Sequence, residues 1–148
     1  MGRSGAGHTL RPMYFLLSAL TLTAGFLIYY LFRDGNMLIH QWCAFLPQNT
    51  AVIPFSRPSF LVDFFRYNLP DGLWVLSGLL FLRALWHEQP KTLLAYRLCF
   101  LFIAFLLEAL QVFDGIAGTF DVLDVVTMGS IALFESMTHK IQLMRRQA

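Results

Sequence analysis

Hydrophobic and polar positions fall into blocks along this chain rather than alternating. From Met13 to Phe32, twenty residues pass without a charge. At about 1.5 Å of rise per residue such a helix covers ~30 Å, the thickness of a bilayer core. A second apolar block, 70–86, opens on Pro70-Asp71-Gly72, and Pro70 suits the first turn of a helix because its missing N–H is not needed there. The third block, 93–113, is interrupted chiefly by Arg97, Glu108 and Gln111. The fourth, 121–138, carries Asp124, Thr127, Ser130 and Glu135, and lipid tolerates it only with that polar face turned inward. The pattern predicts an all-α integral membrane protein, a four-transmembrane-helix bundle forming a single membrane domain over residues 1–148.

The segment 33–69 between the first two spans is not an ordinary polar loop. Met37 to Leu46 is apolar but too short to cross a bilayer. Ser59 to Tyr67 places Phe60, Leu61, Phe64 and Phe65 on one helical face and Asp63 and Arg66 on the other. Pro47, Pro54 and Pro58 separate the two pieces. Both read as short interfacial helices in the first extracytoplasmic loop. Covering the helix ends and forming a ligand-facing lid fit these aromatics equally well.

Orientation follows from the basic residues near the span ends. Arg3, Arg11, Arg83, Lys91, Arg97, Lys140, Arg145 and Arg146 fall on one side, eight in all, against Arg33, Arg57 and Arg66 on the other. Both termini are therefore expected in the cytoplasm. The first span is too long for a signal-peptide core, and Tyr29 to Asp34 offers no small-residue cleavage site, so it is expected to stay as an anchor.

Composition agrees. Hydrophobic residues make up 57% of the chain and charged ones 14%, against roughly 45–50% and about 25% in soluble domains. A net charge of +2 with no basic stripe argues against nucleic acid as a partner. Cys43 and Cys99 lie 56 residues apart without CxxC or Cys/His spacing, which reads as filler rather than zinc or disulfide chemistry. No motif calls for a cofactor.

Folding this topology brings polar residues together at the outer face. Asp71 opens the second span, Glu108 and Gln111 close the third, and Asp121 and Asp124 open the fourth. Each of the last two pairs has a spacing of three, which puts both members on one side of a helix. Thr119 or Asp121 can cap the fourth span, and Asp71 can do the same for the second. Capping fails for Glu108, near a helix C-terminus where the dipole disfavours negative charge. Glu108 is therefore the strongest candidate for chemistry. Carboxylates so clustered suit an oxygen-loving divalent cation or general acid–base work, though neither is demanded and no metal set is assigned. Nearer the cytoplasm, Arg83, Arg97 and Glu135 form a candidate ion-pair cluster, read as structural glue. Ser18, Thr21 and Gly25 read as close-packing positions.

At these residues the chain resembles the VanZ-like family of small bacterial membrane proteins. The resemblance rests on Leu69-Pro70-Asp71-Gly72-Leu73-Trp74 at a helix entrance, Glu108-Ala109-Leu110-Gln111, and Gly118-Thr119-Phe120-Asp121-Val122-Leu123-Asp124. The family pairs an E-x-x-Q element with a downstream D-x-x-D element across a short glycine-bearing turn. The match covers roughly Leu69 to Ser136. Family members often carry a basic residue where Gly118-Thr119 stand here, and an asparagine where Met128 stands. What the resemblance implies is envelope biology at the outer face of the cytoplasmic membrane, not a defined reaction.

Two functions are carried forward. In the first, Asp71, Glu108, Gln111, Thr119, Asp121 and Asp124 bind or act on a cell-envelope or lipid-linked ligand. In the second, the chain is a non-enzymatic accessory or scaffold subunit of a larger membrane complex. His8, His40, His87 and His139 are scattered and build no nucleophile set, so the sequence leaves enzymatic activity open. A proton or ion path is disfavoured by the apolar stretch between Arg97 and Glu108.

Overall fold

A computed structural model describes residues 5–32, 59–113 and 120–147, with side chains placed for 10–32, 59–113, 120–142 and 144. The described residues form four helical rods and no strand: α1 (Gly5–Phe32), α2 (Phe60–Trp86), α3 (Pro90–Leu110) and α4 (Val122–Gln147). Three segments are long and apolar enough to cross a membrane, namely Leu10–Phe32, Phe60–Trp86 and Pro90–Leu110. The rod α4 has the length but a more polar composition. Of the two short helices expected between the first spans, the one near 37–46 lies outside the described residues.

The other is not a separate element. Residues 60–67 run without a break into the second span, so that helix starts at Phe60 rather than Pro70. Its first turn, Phe60–Asp63, is α-helical, and Phe64–Asn68 is a π-helical turn leading into the α-helix Leu69–Trp86. Pro70 explains the wide turn. It has no N–H to give, and its ring would crowd a carbonyl one turn back in a regular helix. Widening moves the bonding one residue further, so that the Leu69 N–H reaches the Phe64 carbonyl. A proline that reads as a helix start in the sequence thus sits inside a continuing helix.

The next two boundaries also have local causes. Residues 87–89 turn the chain tightly, closed by the Gln89 N–H on the Trp86 carbonyl at 2.9 Å, and Pro90 starts α3. At the far end α3 stops at Leu110, short of 113, because Gln111, Val112 and Phe113 bond three residues back instead of four. Asp121 caps α4, its Oδ1 accepting the Leu123 N–H at 2.8 Å. Thr119, the other candidate cap, lies outside the described residues.

The centre of the bundle is α2, which packs along α1 and against both α3 and α4, while α3 and α4 touch each other little. Small residues on α2 allow this. A side chain at Gly78 would overlap the Phe100 ring, and one at Gly72 would meet Thr127 and Ile131. On the α1 side, Gly25 lies against the Pro70 backbone carbonyl, and Ser18 and Ser77 bond reciprocally. Each serine hydroxyl donates to the other's carbonyl at 2.9 Å, which satisfies both without water. Thr21 instead bonds back to its own helix. Val75, Leu79, Ala104, Met128 and Ala132 form the core between α2, α3 and α4, and Tyr14, Leu80 and Ala84 form a second core against α1. The thiol of Cys99 is free and faces outward.

Candidate functional site

Among the described residues, charged side chains collect at both ends of the bundle and are absent between them. At the end where α2 begins, α3 finishes and α4 starts, Glu108 is only 7% exposed. It lies on the stripe Leu93, Arg97, Ala104, Glu108, the four buried positions of α3. That spacing of four, seven and four is one face of a helix, so packing Ala104 into the core necessarily turns Glu108 inward. Its Oε2 accepts from Gln111 Nε2 at 2.9 Å, and its Oε1 accepts the Asp121 backbone N–H at 3.2 Å. The second bond ties the end of α3 to the cap of α4.

Asp121 and Asp124 are joined through a residue that sequence reasoning passed over. Asn68, 2% exposed, donates from Nδ2 to Asp124 Oδ1 at 2.8 Å and to Asp121 Oδ2 at 3.2 Å. Asn68 closes the π-helical turn, so the widening before Pro70 also sets the face on which its amide emerges. A faint sequence signal exists. Asn68 stands two residues before Pro70 at the entrance of an apolar span, where a carboxamide has little reason to be unless something inside accepts its hydrogen bonds.

The result is a continuous hydrogen-bonded chain from α3 through α4 to α2: Gln111, Glu108, Asp121, Asn68, Asp124. Glu108 is also within Coulombic reach of both aspartates. Asp71 faces another way. It accepts from Tyr29 Oη at 2.9 Å and so links α2, just past Pro70, to α1. Tyr29, like Asn68, has no place among the sequence candidates. Among the described residues no three of these side chains converge closely enough to hold a metal ion. What the arrangement offers is a row of anionic acceptors with an amide set among them, suited to hydroxyl, amine or amide donors.

At the opposite end the three residues proposed as an ion-pair cluster do meet. Glu135, 2% exposed, receives Arg83 Nη1 on Oε1 at 3.0 Å and the Arg97 guanidinium on Oε2. Ser136 Oγ takes a further bond from Arg97 at 2.9 Å. Arg83 also donates to Gln142 Oε1 at 2.8 Å and lies over the Tyr14 ring, 4.7 Å from its centre. Tyr14 Oη donates to the same Gln142 oxygen at 2.7 Å. Tyr14 and Gln142 extend the cluster beyond the residues the sequence suggested, to α1 and the last turns of α4. Among the described residues no charged side chain lies between the two ends. Leu101, Ala104 and Phe105 fill the level between Arg97 and Glu108. Comparisons with protein-family models, curated proteins and solved structures give no match.

Proposed function

We propose that this chain is a VanZ-like, four-span protein of the bacterial cytoplasmic membrane whose outer face carries an acidic site for a cell-envelope or lipid-linked ligand. The observation that carries the reading is the convergence of Asn68, Glu108, Asp121 and Asp124 from three helices at one end of the bundle. Two buried carboxylates, Glu108 and Asp124, with the half-buried Asp121 beside them, work against stability unless something else selects for them.

Two features support the membrane arrangement. Within α4 the polar side chains Asp124, Thr127 and Glu135 are buried, while Val122, Val126, Leu133, Phe134 and Met137 are exposed; Ser130, the fourth polar residue of the span, is exposed as well. That is the surface a helix presents when it crosses lipid with its polar face inward. The ends of the bundle also differ in charge. Among the described residues, Arg11, Arg83, Lys91, Arg97 and Lys140 share one end with Glu88 and Glu135, whereas Asp63, Asp71, Glu108, Asp121 and Asp124 share the other with Arg66. The basic end belongs in the cytoplasm, and the acidic site then faces outward.

The test is the chemistry of what travels with the protein. Wild type, Glu108→Gln and Asp124→Asn are purified in mild detergent at equal abundance, and co-purifying envelope lipids are identified by mass spectrometry. The reading expects a lipid-linked species retained by wild type and lost from both variants. Retention by both removes it.

A second reading, an accessory subunit of a larger membrane complex, is favoured by one observation. The acidic residues largely satisfy one another, through Asn68, Gln111 and the Asp121 backbone. It expects stable protein partners in detergent, whereas a monodisperse single species counts against it.

A further inference from the structure

We propose that the Arg11, Arg83 and Arg97 end of the bundle binds the phosphate of an anionic phospholipid from the adjoining leaflet. The argument starts from charge. Arg83 and Arg97 are 3% and 7% exposed, and they share a single buried carboxylate, each taking one oxygen of Glu135. Among the described residues, two guanidiniums against one carboxylate leave one positive charge uncompensated.

Arg11 adds a second. It reaches from α1 to the Leu85 carbonyl at 3.1 Å, two residues beyond Arg83, and Tyr14, one turn further along α1, lies beneath the Arg83 guanidinium. Arg11 Nε is buried and has no hydrogen-bond acceptor among the described residues. The remaining groups at this end do not restore the balance. His87, one turn past Arg83, is buried with Nε2 3.5 Å from Glu88, whose side chain is 59% exposed. Lys91 and Lys140 are exposed cations, and His139 is half-buried.

Uncompensated cations, here the buried Arg83–Arg97 pair and the half-buried Arg11, are costly where water is scarce, and a bound anion removes that cost. The depth of the cluster selects the anion. Arg97 is the eighth residue of α3, so it lies about 10 Å in from the helix start, near the boundary of headgroups and acyl chains. Trp86 and Tyr96 stack beside it with ring centres 4.3 Å apart, the residue types that favour this boundary. Exposed Phe81, Leu98 and Phe102 continue toward the membrane centre, where acyl chains run. A phosphodiester supplies acceptors that planar guanidinium forks match in geometry. This inference does not rest on the function proposed for the acidic end.

The test uses the full-length protein in neutral detergent, with its unfolding midpoint followed against added phosphatidylglycerol, phosphatidylcholine or inorganic phosphate. Phosphatidylglycerol is expected to raise the midpoint and phosphatidylcholine to leave it unchanged. Arg11→Gln is expected to weaken the apparent affinity for phosphatidylglycerol about fivefold. Lys140→Gln, at the same end but outside the cluster, is expected to leave it near wild type. An equal response to the two lipids, or unchanged affinity in Arg11→Gln, overturns the site. Inorganic phosphate reproducing the whole shift overturns the lipid as its source. A second measurement needs no variant: spin-labelled lipids added to reconstituted wild type should show a larger immobilised fraction for phosphatidylglycerol than for phosphatidylcholine. Equal fractions overturn the proposal.

Discussion

The amide of Asn68 stands between two carboxylates, 2.8 Å from Asp124 and 3.2 Å from Asp121. One NH2 group thus satisfies two acids that would otherwise face each other unscreened. Replacing Asn68 by Ala leaves both oxygens without that donor and should lower stability by about 1–3 kcal/mol. Asn68→Asp should be worse than Asn68→Ala, because it adds a third carboxylate where a donor stood. Thermal unfolding in detergent checks the order, and an Asp variant as stable as wild type contradicts the bridging role.

Glu135 has the mirror-image task at the other end, one carboxylate serving Arg83 and Arg97. Glu135→Ala should cost about 3–5 kcal/mol, because it strands two buried guanidiniums. Replacing all three by Met or Leu should recover most of that loss, since the penalty lies in the unpaired charge and not in the missing pair. Accumulation in the membrane and unfolding midpoints measure both. A triple variant no more stable than Glu135→Ala refutes the account.

How much of this was readable from residues alone depends on which physical signal carried each feature. Hydropathy marks the α1, α2 and α3 spans because a bilayer demands long apolar runs. The Arg83, Glu135 and Arg97 meeting was readable as well. Glu135 lies eleven residues after Asp124, and Arg97 eleven before Glu108, so each shares a helix face with its outer partner. Asn68 is legible only as a carboxamide at the mouth of a span, because its bridging role depends on a π-helical turn that no periodicity announces. The start of α2 was misplaced for the same reason, since Pro70 carries the same local signal whether it opens a helix or follows a widened turn. Tyr14 and Gln142, 128 residues apart, meet only through tertiary packing, which local spacing does not encode.

Packing around α2 makes a sharper demand at Gly78. The Phe100 ring occupies the space a methyl group would need. Gly78→Ala should therefore destabilise by about 1–3 kcal/mol through overpacking, despite the better helix propensity of alanine. Adding Phe100→Leu should restore part of the loss by emptying the same space. If the double variant is no more stable than Gly78→Ala alone, the ring is not the obstacle.

The membrane crossing proposed for α4 bears on the proposed function, because it decides whether the acidic and basic ends face different compartments. Its 26 residues extend ~39 Å, enough to cross a bilayer core of ~30 Å and continue beyond it. Phe120 and Lys140 bracket the crossing and are both exposed, so a cysteine at either position is accessible to a reagent on its own side. With Cys43 and Cys99 replaced by Ser, Phe120→Cys in intact cells should react with a membrane-impermeant maleimide, and Lys140→Cys should react only after permeabilisation. Labelling of both from outside would lay α4 along the surface and leave Glu135 without a bundle interior to be buried in. The burial of Glu135 at 2% exposure, with Arg83 and Arg97 on its two oxygens, makes that outcome costly, because moving α4 to the surface would take from Arg83 on α2 and Arg97 on α3 the carboxylate they share.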